Sequence, residues 1–131
     1  MPDRNLPEFS KAFFPGRAPI DAYGNGGFRF ADMSHRGSLI IVPSGIYGWD
    51  VADLDHLAAE QCGRFLAELQ RPSFVLLGTG PEHKLPPEPI RRLFTDAGIG
   101  LEPMSTGAAA RTYNVLLAEG RVFGAGLIAV D

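Results

Sequence analysis

Two short runs constrain this chain more than anything else in it. Leu39-Ile40-Ile41-Val42 and Phe74-Val75-Leu76-Leu77 are apolar at every position. Each stops at residues that break regular structure, Pro43-Ser44-Gly45 after the first and Gly78-Thr79-Gly80-Pro81 after the second. A strand that alternates apolar with polar residues can leave one face wet, whereas one that is apolar throughout must be covered on both. The chain therefore needs helices to lay against these strands, and its periodicity offers three. From Asp53, the residues Leu57, Cys62, Phe65, Leu66 and Leu69 recur at helical spacing and predict an amphipathic helix ending before Pro72. Ile90, Leu93, Phe94 and Ala97 predict a second, entered through Pro86-Pro87-Glu88-Pro89 and capped by Gly98. Ser105 or Thr106 caps a third, which runs to about Ala118.

Shorter signals fill the intervals. Ile20 to Tyr23 and Phe28 to Phe30 flank Gly24-Asn25-Gly26-Gly27, and Asn-Gly tolerates the positive φ of a tight hairpin, so a β-hairpin is expected there. Ile46 to Asp50, Ile99 to Pro103 and Arg121 to Val130 read as further strands. Strands separated by helices of a dozen residues favour crossover connections, hence a parallel or mixed sheet with helices packed on it. Residues 1–18, with Phe9, Phe13 and Phe14, read as an N-terminal arm, and 19–131 as a single α/β domain.

Composition narrows the function classes. A chain of 131 residues, 45% hydrophobic, suffices for one core. The net charge of -3 and the lack of a basic cluster argue against nucleic acid as a partner. Cys62 stands alone, so no internal disulfide or cysteine-based metal site can form. His35, His56 and His83 have no metal-ligand spacing, and no metal site or cofactor is expected. The purely apolar stretches are about four residues long, far short of a membrane span, and the N-terminus has no apolar signal core; a soluble, cytoplasmic protein is expected.

Two segments can carry chemistry. Gly78-Thr79-Gly80 follows an apolar strand, where backbone amides can approach a phosphate or carboxylate. It is half of a dinucleotide fingerprint: the third glycine is missing, and Pro81 removes an amide. Glu102 lies about 20 residues on, at the spacing of a ribose-binding acid. The second segment begins at Ser105 and Thr106, and Gly107 to Ala110 leave its amides unshielded, so an anion can sit at that helix start. Arg111 and Asn114, three apart on a mostly apolar helix, must meet water, a partner or a ligand. One reading makes Arg111 the counter-ion of a carboxylate or phosphate. The other pairs it internally with Glu102 or Asp50 and bonds Asn114 to a loop backbone. Ser44 lies outside a nucleophile elbow, and Cys62 falls on the buried stripe of its helix. Asp50, Asp53 and Asp55 suit helix capping. Tyr47 and Trp49 suit core packing, or an aromatic patch for a partner together with Phe13 and Phe14.

Phe74-Val75-Leu76-Leu77-Gly78-Thr79-Gly80, then Gly98 to Thr106 with Glu102, Met104 and Thr106, and then Ala110-Arg111-Thr112-Tyr113-Asn114-Val115-Leu116 together resemble a known family. It is the small domain-of-unknown-function family that includes mitochondrial complex I assembly factor 3 and the adipogenesis-associated protein. The resemblance takes in Phe14-Pro15-Gly16 and Ile20 to Phe30, and so most of residues 13–130. It implies a three-layer α/β domain with a central mixed sheet, and no established catalytic activity or cofactor. The expectation that follows is a non-enzymatic interaction or assembly factor with a protein partner, and an open sheet edge would also allow a homodimer. The alternative is a small-anion or nucleotide-binding protein or enzyme. Its cleft would lie between Gly78, Thr79 and Gly80 and the Ser105–Thr106 helix start, with Arg111 and Asn114 alongside.

Overall fold

The computed structural model describes residues 14–131. Its strands are β1 (Phe14–Pro15), β2 (Ala22–Gly24), β3 (Gly27–Phe30), β4 (Met33–Arg36), β5 (Ser38–Val42), β6 (Gly45–Trp49), β7 (Phe74–Gly78), β8 (Gly100–Met104) and β9 (Gly124–Leu127). Its helices are α1 (Gly63–Ala67), α2 (Glu88–Asp96) and α3 (Thr106–Ala118), with 3₁₀ turns at Leu54–His56 and Ala59–Cys62. Phe9 and Phe13 lie outside the described residues.

Six strands form a mixed sheet in the order β1-β6-β5-β9-β7-β8. β7 is parallel to both β8 and β9, while β5 runs antiparallel to β6 and β9. The chain leaves β7 for β8 on one side and returns past β7 to β9 on the other. Crossovers of one hand must then carry α2 and α3 to opposite faces of the sheet. The core divides accordingly. Leu39, Ile41, Leu76 and Leu127 pack under Ala109, Ala110 and Tyr113 of α3. On the other face, Ile40, Val42, Val75 and Leu77 pack against Phe65 of α1 and Ile90 and Phe94 of α2. All five residues of β5 are buried, as a strand apolar on both faces requires. The fold is the three-layer α/β arrangement with a central mixed sheet.

Three elements differ from expectation. The N-terminal hairpin is present, its turn at Asn25 (φ 53°) and Gly26 (φ 79°), but β4 extends it to a three-stranded sheet, β2-β3-β4. The second turn places Ala31 (φ 49°) and Asp32 (φ 60°) in the left-handed region, a conformation that non-glycine residues seldom signal. The long helix expected from Asp53 is broken into two 3₁₀ turns and the short α1. Its buried residues, Leu54 and Leu57 and then Cys62 and Phe65, are three apart, the repeat of a 3₁₀ turn. Gln61 holds the irregular course by donating to the Asp50 carbonyl and accepting from the Ala58 amide. Leu69, expected on the buried stripe, is fully exposed. The last strand is confined to Gly124–Leu127, inside the longer run expected.

The described part of the expected arm is held down by specific contacts. β1 pairs antiparallel with β6, and the Arg17 guanidinium donates to the Arg121 carbonyl (2.8 Å) while lying over the Phe123 ring. Phe123 stacks on Phe74 with centroids 5.4 Å apart, and the Arg121 guanidinium lies 5.6 Å from the Phe74 ring centre. Among the described residues, no helix is long and apolar enough to cross a membrane.

Candidate functional site

The Gly78–Gly80 loop and the start of α3 meet at one corner, as the cleft reading required. The topology explains the corner: the connection after β7 leads to α2 on one face and the connection after β8 to α3 on the other, so a crevice opens between the two strand ends. Open α/β sheets commonly bind ligands at such a switch point. Here the backbone groups lining it are largely satisfied internally. Thr79 N–H donates to the Met104 carbonyl (2.8 Å), and Thr106 N–H donates to the Gly80 carbonyl (2.8 Å). The Thr106 hydroxyl is fully buried; it accepts from Gly80 N–H (3.0 Å) and donates to the Ile128 carbonyl (2.7 Å). Thr79 Oγ1 donates to the Glu82 carbonyl (2.6 Å) and accepts from Lys84 N–H. Ser105 is the N-cap of α3, its hydroxyl accepting from Ala108 N–H. Gly78 is needed for close approach, since a Cβ there would lie 3.0 Å from the Thr106 Cα and Oγ1.

Arg111 and Asn114 part company in the structure. Asn114 bonds a backbone segment on both sides: its Oδ1 accepts from Ile20 N–H (2.8 Å) and its Nδ2 donates to the Ile20 carbonyl (2.9 Å). Beside it, the Tyr113 hydroxyl donates to the Ala18 carbonyl (2.8 Å), and burial raises the phenol's pKa well above its usual value. The Tyr-Asn pair is thus a clamp that fixes residues 18–20 against α3. The loop-backbone reading of Asn114 is what the structure contains. The internal ion pair expected for Arg111 is not: among the described residues it makes no salt bridge with Glu102, Asp50 or any other carboxylate, and it is exposed. Arg111 instead borders an open cavity of about 290 Å³ with Tyr23, Gly80, Ser105, Gly107 and Asp131.

The other candidates resolve as structural groups. Cys62 is buried, and burial pushes its thiol up to about 11. Asp53 caps a 3₁₀ turn by accepting from His56 N–H; its hydrogen bond to the His56 ring holds its carboxyl below the usual value. Ser44 donates to Glu68 (2.8 Å) and contacts the Tyr47 hydroxyl (3.0 Å), which fastens the β5–β6 turn. Trp49 is buried and donates to the Gln61 carbonyl. Sequence reasoning missed Tyr113, whose polar tip has its partner 95 residues away. The signal was a lone tyrosine on the apolar side of a helix, because a buried hydroxyl must find an acceptor.

Residues 20–128 match the family described as protein of unknown function, DUF498/DUF598. The chain belongs to this family. It is 40% identical over 115 residues to an uncharacterised protein of Rhodobacter capsulatus, covering 88% of this chain and 87% of that one. It is 31% identical over 116 residues to the mouse NADH dehydrogenase [ubiquinone] 1 alpha subcomplex assembly factor 3. That match covers 88% of this chain and only 62% of the mouse protein's length. Among solved structures, one described as an outer membrane protein from Bartonella henselae is 56% identical with a TM-score of 0.85, over 90% of this chain and 99% of that one. A Bordetella pertussis protein described as an Mth938-like domain is 26% identical with a TM-score of 0.71, over 85% of each chain.

Proposed function

We propose that this protein is a non-enzymatic assembly or interaction factor acting on a protein partner in the cytoplasm, with assembly of a respiratory NADH dehydrogenase as its setting. The observation that carries the reading is the likeness to the mouse assembly factor over 88% of the chain. The chemistry at the α3 corner agrees with it. Thr79, Thr106 and Asn114, the polar side chains that a ligand site would need, are committed to backbone groups of the protein itself. The test is in vivo crosslinking of the tagged chain followed by mass spectrometry of the adducts. NADH dehydrogenase subunits or precursors are the expected adducts, and their absence when membrane complexes are preserved would overturn the reading.

A second reading is favoured by the cavity at the switch point. A small anion would sit beside Arg111, against Ser105 and Gly107, where the guanidinium has no carboxylate partner among the described residues. Thermal-shift measurements against phosphates, nucleotides and small carboxylates test it. A Tm rise in wild type that disappears in Arg111→Ala is expected on this reading, and silence across the panel counts against it.

A further inference from the structure

Asn25-Gly26 is the only Asn-Gly step in the chain, and Asn25 is exposed at the tip of the β2–β3 hairpin. Glycine has no side chain to hinder its own amide nitrogen, so that nitrogen can attack the side-chain carbonyl of a preceding asparagine. The fold opposes this attack in two ways. Asn25 (φ 53°) and Gly26 (φ 79°) both sit in the left-handed region of a primed turn, a conformation in which the Gly26 nitrogen is not aimed at the Asn25 Cγ. The Gly26 N–H is also in use, donating to the Val130 carbonyl (2.8 Å), while the Gly26 carbonyl accepts from Gly37 N–H (2.7 Å). Val130 is held in place by the two residues before it. Ile128 N–H donates to the Gly78 carbonyl (3.0 Å), and Ala129 N–H to the Ser38 hydroxyl (2.9 Å). The hairpin tip is thus fastened to the large sheet through residues 128–130. By contrast, Asp32 holds the same place in the β3–β4 turn, and its N–H has no backbone acceptor among the described residues.

We propose that Asn25 is a site of intramolecular modification gated by the Gly26–Val130 hydrogen bond. It stays an amide while residues 128–130 are seated, and it converts to aspartate and isoaspartate when they leave. The step needs only water and base. The Gly26 nitrogen gives its proton to solvent base and attacks the Asn25 Cγ; the new C–N bond closes a five-membered imide, and the side-chain nitrogen leaves as ammonia. Water then opens the imide at either carbonyl, leaving aspartate or, with the main chain rerouted through the side chain, isoaspartate. Ring closure fixes the ψ of Asn25 outside the left-handed turn, so the turn must open and Gly26 must release Val130 before the bond can form. Local opening of this end of the molecule therefore sets the rate. The product changes its surroundings. Asn25 borders a shallow cavity of about 450 Å³ together with Arg29 and Arg36, which no aspartate or glutamate lines. The Arg36 guanidinium lies over the same turn, 3.6 Å from where a Cβ on Gly26 would stand. Either product places a carboxylate there, and isoaspartate also lengthens the main chain between the paired residues Gly24 and Gly27.

The test follows residue 25 by mass spectrometry of the tryptic peptide 18–29 after incubation of the full chain at mildly alkaline pH. The same incubation in guanidinium chloride gives the rate for the opened chain. The folded chain is expected to convert at least about tenfold more slowly, because attack is confined to the fraction in which the turn is open. A chain ending at Ala129 loses the Val130 acceptor but keeps the Ile128 and Ala129 bonds, and should convert at least about threefold faster than the full chain. Asn114, whose side chain is bonded on both sides to Ile20, should stay intact in the folded chain. Hydrogen exchange supplies a reading that needs no variant: after correction for sequence, the Gly26 amide should exchange at least about tenfold more slowly than that of Asp32. Conversion of the folded chain within twofold of the guanidinium rate, an Asn25 that stays intact even in guanidinium, or a folded truncated chain no faster than the full one would overturn the proposal. Should circular dichroism show the truncated chain unfolded, the exchange rates decide: equal rates at Gly26 and Asp32 overturn the gate, and protection of Gly26 alone upholds it.

Discussion

Arg111 and Thr106 sit five residues apart on one helix and carry opposite burdens. Arg111 is exposed with no ion pair among the described residues, so Arg111→Ala should change stability by no more than about 0.5 kcal/mol in urea denaturation. A loss of several kcal/mol would mean a buried pair. Thr106 is fully buried with both halves of its hydroxyl in use. Thr106→Val keeps the shape but strands Gly80 N–H and the Ile128 carbonyl, and should cost about 2–4 kcal/mol in the same measurement. The Cys62 thiol gives a pH signature. Its pKa rises from 9.0 to about 11 on folding, so the folded state holds the proton more tightly than the unfolded chain. This contribution is fully present below about pH 9 and is lost as pH climbs towards 11. Denaturation midpoints should therefore fall more steeply over that window in wild type than in Cys62→Ala. Identical slopes would show that the thiol is not desolvated.

α3 does two jobs at once, and its second face explains the most specific stretch of the sequence. Ala109, Ala110 and Tyr113 pack on the sheet, while Tyr113 and Asn114 grip residues 18–20. Asn114→Leu should leave both Ile20 backbone groups unpaired, cost about 1–3 kcal/mol, and speed hydrogen exchange at Ile20 more than at β7. Gly126 in β9 faces the Trp49 ring, which a Cβ would approach to 2.6 Å. Gly126→Ala should thus cost about 1–3 kcal/mol through overpacking. The strands β5 and β7 and the helices α2 and α3 were legible in the sequence because each has an unbroken apolar run or a clear period with a cap. The segment from Asp53 was not, because a repeat of three and one of 3.6 both place Leu57, Cys62 and Phe65 inside and part only at Leu69. β4 was hidden as well: Met33-Ser34-His35-Arg36 lacks β-branched residues, and its turn uses Ala31 and Asp32 where glycine would have given the signal. At the candidate site, the meeting of the Gly78 loop with Thr106 was legible from the element order. Its internal satisfaction was not, because the partners of Thr106 and Asn114 come from 22 to 94 residues away.

At the scale of the whole molecule, the central sheet is covered on both faces, and the three-stranded sheet turns its polar side outward. The polar groups at the switch point tie β7, β9 and α3 into one corner. The likeness to the mouse assembly factor over 88% of the chain is what supports the proposed assembly role. The most direct test is the amount of intact NADH dehydrogenase, resolved on native gels, in membranes of a host strain that has lost this gene. The account predicts a fall in the complete enzyme with accumulation of subassemblies, both reversed when the chain is supplied again. An undiminished amount of intact enzyme, with no subassemblies, would contradict it.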